Sequence, residues 1–163
     1  MKKALISVMT VVLLMLGGLG VGATSGLSAL ELRAAAHAKA LEVRENKLEN
    51  RLIWAENVQL RTEIRLRVMA IREQDLVLED SVVEDVKALT ETLKATYAEL
   101  KATEGSIKAY SDEVKALIEA RDWEGLENIY DQVVAIQLTR NALLEEINTL
   151  LTQIVALLPE VEN

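Results

Sequence analysis

Few residues in this chain could do chemistry. There is one histidine, His37, and no cysteine. A chain without cysteine has no thiolate nucleophile, no disulfide and no thiolate metal site. His37 stands among alanines, in Ala34-Ala35-Ala36-His37-Ala38. A di-iron centre needs two Glu-x-x-His elements on facing helices, and a zinc protease needs His-Glu-x-x-His. One histidine supplies neither, so His37 reads as a surface or interface side chain. No Gly-x-Ser-x-Gly elbow occurs, and a Ser-His-acid triad has too few members to draw on. The clustered glycines, at 17, 18, 20 and 22, lie in an apolar N-terminal run and form no phosphate loop. Glu79, Asp80, Glu84 and Asp85 crowd one place. A calcium loop would space its acids as Asp-x-Asp-x-Asp-Gly, which this cluster does not. The expectation is a protein that is not an enzyme, with no catalytic, cofactor-binding or metal-ligating residue and no evident small-molecule substrate.

Composition points to long helices instead. Half of the 163 residues are apolar, yet aromatics are 3% and phenylalanine is absent. Leu, Ala, Val, Ile, Glu, Lys and Arg dominate, with seven Gly and one Pro, which is a long-helix composition. The net charge of −8 is unevenly spread. Glu31 to Glu73 carries nine basic and seven acidic side chains, whereas the chain from Asp75 onward carries seven basic and nineteen acidic ones. Nucleic acid is excluded as a partner of the acidic half, because phosphate contacts need clustered Lys or Arg. The one basic cluster, Arg61, Arg65, Arg67 and Arg72, reads as a solvated face or as partner to the acidic helices of the same chain.

The first 23 residues have the layout of a bacterial secretory signal. Met1-Lys2-Lys3 is basic, Ala4 to Leu16 is apolar, and Gly17 to Ala23 is small, with Val21 and Ala23 placed for cleavage. Cleavage after Ala23 would leave 24–163 as a helical domain exported to the periplasm or cell envelope. The other reading is an uncleaved anchor over residues 4–23, the only route to membrane contact, since no charge falls between Lys3 and Glu31.

The apolar spacing predicts three helices, about 27–79, 82–120 and 123–158. In the first, Leu27, Leu30, Ala34, Ala38, Leu41, Leu48, Leu52 and Ala55 share one face. After Ala55 the phase slips to Leu60, Ile64, Ile71 and Leu78, which predicts a rotated buried face or a bend. Residues 63–68 alternate polar and apolar, a strand signature; without a turn or a partner strand they read better as helix. Ser81-Val82-Val83-Glu84 reads as a capping box that opens the second helix.

The second helix repeats apolar-Lys-Ala every seven residues, from Val86-Lys87-Ala88 through Leu93, Leu100 and Ile107 to Val114-Lys115-Ala116. That is the period of a helix packed along a seam. Its other seam positions are Leu89, Thr96, Thr103, Tyr110 and Leu117, thin in the middle near Gly105, where the alternative is a turn between two short helices. The line Lys87, Lys94, Lys101, Lys108, Lys115 is expected to face solvent or acidic side chains. Asp122 is a candidate N-cap for the third helix, and the short connection makes helices two and three antiparallel neighbours.

Helix three has the strongest seam. Leu126, Val133, Ile147 and Ile154 interleave with Ile129, Ile136, Leu143, Leu150 and Leu157; Leu144, Leu151 and Leu158 widen the stripe enough to contact two helices. Arg140 is the one charge in that seam and is expected opposite the polar middle of helix two, near Glu104. Trp54 and Trp123 read as packing residues, with a ligand or client platform as the lesser reading.

The fold class that follows is all-α, an elongated antiparallel coiled coil or three-helix bundle. Its expected role is protein–protein interaction or envelope structure, with protein partners or self-association. In length and helicity only, the layout resembles the Spy/CpxP-like and Skp/OmpH-like envelope chaperones, which implies an ATP-independent holdase as the alternative. The repeated Leu-Thr-x-x-Gln of the first group is not matched by Leu138-Thr139-Arg140-Asn141 or Leu151-Thr152-Gln153-Ile154. The second group is typically basic and begins with a β segment, unlike this acidic chain and its Ala-rich start. No family is assigned.

Overall fold

A computed structural model describes residues 28–160. The signal segment expected over residues 1–23 lies outside the described residues. Among the described residues there are three helices and no strand: α1 (Ala29–Glu73), α2 (Asp80–Ala120) and α3 (Trp123–Leu157). The alternating stretch 63–68 is helical, and α2 runs unbroken through Gly105. No described helix is long and apolar enough to cross a membrane.

Cross-helix contacts set the directions. Asn50 reaches Gln137, Asn57 reaches Leu144 and Arg67 reaches Val155, so α1 and α3 run parallel. Thr96 meets Glu146 and Tyr110 meets Gln132, so α2 runs antiparallel to α3. α3 is the shared neighbour: both other helices pack on it, while the α1 and α2 backbones stay apart. Its wide apolar stripe makes this possible. Leu144, Ile147 and Leu151 are almost fully enclosed, and together with Leu100 they form a core that Ile53, Leu60 and Ile64 flank from α1 and Leu93 and Tyr97 from α2. The five apolar positions of the α2 repeat all lie buried or half-buried, and its five lysines are exposed.

The helix ends follow local chemistry. Ser28 and Glu31 form a reciprocal capping box at the start of α1. The carboxylate of Glu31 is held below its usual range mainly by the backbone N–H of Ser28. α1 stops at Glu73, six residues before the expected end, because Asp75 takes a left-handed conformation (φ 49°). The N–H of Leu76 then donates to the carbonyl of Ile71 and that of Asp75 to Arg72, a Schellman turn. The capping box expected at Ser81 does not form. The chain is already helical at Asp80, Glu79 occupies the N-cap without a side-chain bond, and Ser81 lies inside the first turn. The second corner is another Schellman turn, with Arg121 left-handed (φ 56°) and Asp122 donating to the carbonyl of Leu117. Asp122 caps α3 as expected, accepting from the N–H of Gly125 at 2.9 Å.

Candidate functional site

The leucine stripe expected to bury α1 does the opposite. Leu30, Leu41, Leu48 and Leu52 are 77, 57, 58 and 67% exposed, and Ala34, Ala38 and Ala55 lie on the same open side. Leu27 is outside the described residues. The face that packs on α3 is a different and unbroken heptad, running Ala36, Lys39, Val43, Asn46, Asn50, Ile53, Asn57, Leu60, Ile64, Arg67 and Ile71. The phase slip after Ala55 is therefore not a rotation of the buried face, which keeps one heptad phase from Ala36 to Ile71. Large apolar residues mark the outer face in the first half of α1 and the inner face in the second.

Asparagines take the place of leucines on the inner face. Asn50 Nδ2 donates to the carbonyls of Asn46 and Gln137, and Asn57 Nδ2 donates to the carbonyl of Leu144 at 2.9 Å. The two donors and their two α3 acceptors are each seven residues apart, which pins the register of α1 on α3. Asn141 Nδ2 donates to Glu49, and Lys39 pairs with Asp131 at 2.8 Å. The lysine is held above its ordinary value, chiefly by that aspartate and then by Glu42. At the far end Arg67 donates to the carbonyls of Val155 and Leu158, where a cation suits the negative end of α3. Glu63 holds Arg67 in place at 2.6 Å.

α1 and α2 part on the side away from the core and leave a half-open cleft of about 440 Å³. Its floor is α3, with Val133, Gln137, Arg140 and Leu144; Trp54 and Arg51 stand on one wall and Glu104 and Ile107 on the other. Arg140 meets the polar middle of α2 as expected. It donates to the carbonyl of Leu100 and to the hydroxyl of Thr103, while Glu104 lines the same cleft without pairing to it. The arginine thus satisfies backbone and hydroxyl groups across the thin part of the seam, a structural task.

The remaining sequence candidates are dispersed. Trp54 meets Tyr97 edge-on with ring centroids 6.5 Å apart, and Arg61 lies over the same tyrosine. Trp123 carries Arg33 over its ring at 5.5 Å. His37 is exposed. Of the basic cluster, Arg61 and Arg67 are engaged, whereas Arg65 and Arg72 face solvent. Glu79, Asp80, Glu84 and Asp85 are exposed around the start of α2.

Among the described residues the distinguishing feature is a long helix with leucines outward and asparagines inward. The sequence shows the leucines as a stripe but not which side they take, because a run of leucines outweighs asparagines in any apolar pattern. Comparison of the chain with protein-family models, with curated proteins and with solved structures gives no match.

Proposed function

We propose that this chain is a non-enzymatic helical interaction protein whose working surface is the outer face of α1. One observation carries the reading: α1 exposes Leu41, Leu48 and Leu52 while it buries Asn57 against α3. Leucines at heptad-related spacing on an open face, opposite a polar seam, are the arrangement of a helix meant to be covered by another polypeptide. The frame behind it is an elongated three-helix coiled coil, with α1 spanning roughly 68 Å at ~1.5 Å per residue. The N-terminal signal layout supports a role in the cell envelope, and on that reading an intact mass beginning at Thr24 is expected of the exported protein. A mass that retains residues 1–23 would replace secretion with anchoring and make the chain a membrane-tethered linker.

The test is photo-crosslinking in the producing cell. A crosslinker at Leu48 is expected to capture a polypeptide, and one at Lys94, exposed on α2, is not. Absence of any adduct at Leu48 would end the reading. A holdase role is the second possibility, favoured by the apolar group at the α1–α2 corner, where Met69, Leu76 and Val77 are 48, 45 and 96% exposed. That role requires near-stoichiometric suppression of aggregation of a denatured test protein, and a flat result removes it.

A further inference from the structure

We infer that the occupant of the outer face of α1 is a second copy of this chain, parallel and in register. The inference rests on the reading of α1 as an interaction helix and names its partner. It starts from the residues that border the leucine stripe.

Leu41, Leu48, Leu52, Ala55, Leu66 and Met69 follow one seam, stepping by three, four or sums of those, on the side of α1 turned away from α3. All six are exposed. Along one edge of this seam run Glu42, Glu49, Glu56 and Glu63, each seven residues from the last. Along the other edge run Arg44, Arg51, Arg65 and Arg72, with Val58 at the one position between them. One border is wholly acidic and the other has no acid. Among the described residues, none of these four arginines forms an ion pair within the chain, whereas on the acidic border Glu42, Glu49 and Glu63 meet Lys39, Asn141 and Arg67 of their own chain and Glu56 meets none.

Two charged borders of opposite sign select both the partner and its direction. In a parallel two-stranded pairing, a side chain on one border faces the opposite border of the partner five residues further on. Arg44 then faces Glu49 of the second copy, and Arg51 faces Glu56 of the second copy, with each pair made twice by symmetry. In an antiparallel pairing like borders would meet, arginine against arginine and glutamate against glutamate, which is repulsive. A copy of the chain therefore complements itself in one direction only. The seam also carries Glu45, Gln59 and Thr62. In register, each meets its own counterpart, which weakens the pair and makes it dissociable, while a Gln59–Gln59 contact disfavours shifted registers. Both copies keep α3 on their outer sides, because the inner face of α1 lies nearly opposite the stripe.

The absence of cysteine gives a clean test. Leu41→Cys, Leu48→Cys and Ala55→Cys, made singly in the exported chain, are each expected to form a disulfide-linked dimer on mild oxidation. In a parallel in-register pair every seam residue meets itself, whereas an antiparallel pair brings at most one position to itself. Dimers at only one of the three, or at none, overturn the proposal. In sedimentation equilibrium the unmodified chain is expected to be a reversible dimer. Arg51→Glu is expected to weaken it roughly tenfold, and Arg51→Glu with Glu56→Arg to restore it, with helicity unchanged by circular dichroism. A chain that stays monomeric at every concentration, or an Arg51→Glu variant as tight as the parent, also overturns it. If the purified chain is monomeric while a crosslinker at Leu48 captures a foreign polypeptide, the second copy is ruled out and the interaction surface stands.

Discussion

Asn57 is buried at 1% exposure, and its Oδ1 accepts no hydrogen bond from the protein. Its Nδ2 is spent on the carbonyl of Leu144, which already belongs to the α3 hydrogen-bond ladder. A buried unpaired oxygen costs on the order of 1–3 kcal/mol, more than the single bond to a satisfied carbonyl returns. Asn57→Leu should therefore raise the midpoint of urea unfolding, by about 1 kcal/mol or more in stability, at some loss of the register that the paired asparagines impose. A lowered midpoint would mean that the amide holds α1 better than a leucine would. Lys39 makes a second test at this scale. Its pairing with Asp131 and Glu42 raises it above the ordinary lysine value of 10.5. A group raised in the folded state stabilises fully while the unfolded lysine is still protonated, and loses that contribution as pH climbs beyond 10.5. The stability gap between the parent and Lys39→Met should be constant from neutral pH to about pH 9 and close at higher pH. A gap that stays open at high pH would assign it to packing of the lysine stem. Neither role was legible in the sequence. Asparagines and a lysine at heptad positions look like the outside of a helix until the opposite, leucine-bearing face is seen to be the exposed one.

At the scale of elements, the two glycines of the helical hairpin separate cleanly. A Cβ added at Gly105 meets nothing within 4 Å, so Gly105→Ala should stabilise α2 by about 1 kcal/mol through helix propensity alone. A Cβ at Gly125 would come within 2.6 Å of the capping carboxylate of Asp122 and 2.9 Å of Leu117. Gly125→Ala should therefore displace the cap and destabilise by about 1 kcal/mol, close to the cost of removing Asp122 itself. Thermal unfolding of the two variants should shift in opposite directions; shifts of the same sign would contradict this account of the corner. Gly125 early in α3 leaves room for the carboxylate of Asp122 folded over it. The existence of all three helices, the continuity of α2 and the start of α3 were readable, because seven-residue apolar spacing and an Asp N-cap are local signals. The end of α1 was not. It depends on Asp75 in a left-handed conformation that residues other than glycine seldom adopt, so no glycine marks the stop. Without it, Ser81 and Glu84 offered the only visible punctuation, and the helix had already begun at Asp80.

Across the whole molecule the two halves of the bundle are built differently. Near the α1–α2 corner, Leu60 and Ile64 of α1 and Leu93 and Tyr97 of α2 close around Leu144, Ile147 and Leu151. Toward the other end, Leu126, Ile129, Val133 and Val134 of α3 and Ala36 of α1 are buried, but α1 meets α3 there with the polar Lys39 and Asn50 among its inner residues, and α1 and α2 draw apart over Arg140 to leave the cleft. Apolar burial supplies most of the favourable free energy of folding, whereas polar seams supply register and little net stability. Opening free energies should then fall from one end of the bundle to the other. Measured by hydrogen exchange on dilute protein, amides of residues 53–71, 89–100 and 143–155 should be the most protected. Those of 32–50 and 103–118 should exchange earlier, although every one of these segments is helical. Exchange at one common rate would mean that the polar seam opens only with the core. Concentrating the protein should slow exchange in 38–52 selectively if a second helix covers the outer leucines. That link makes the end of α1 with the weakest hold on its own chain the part best placed to gain a partner.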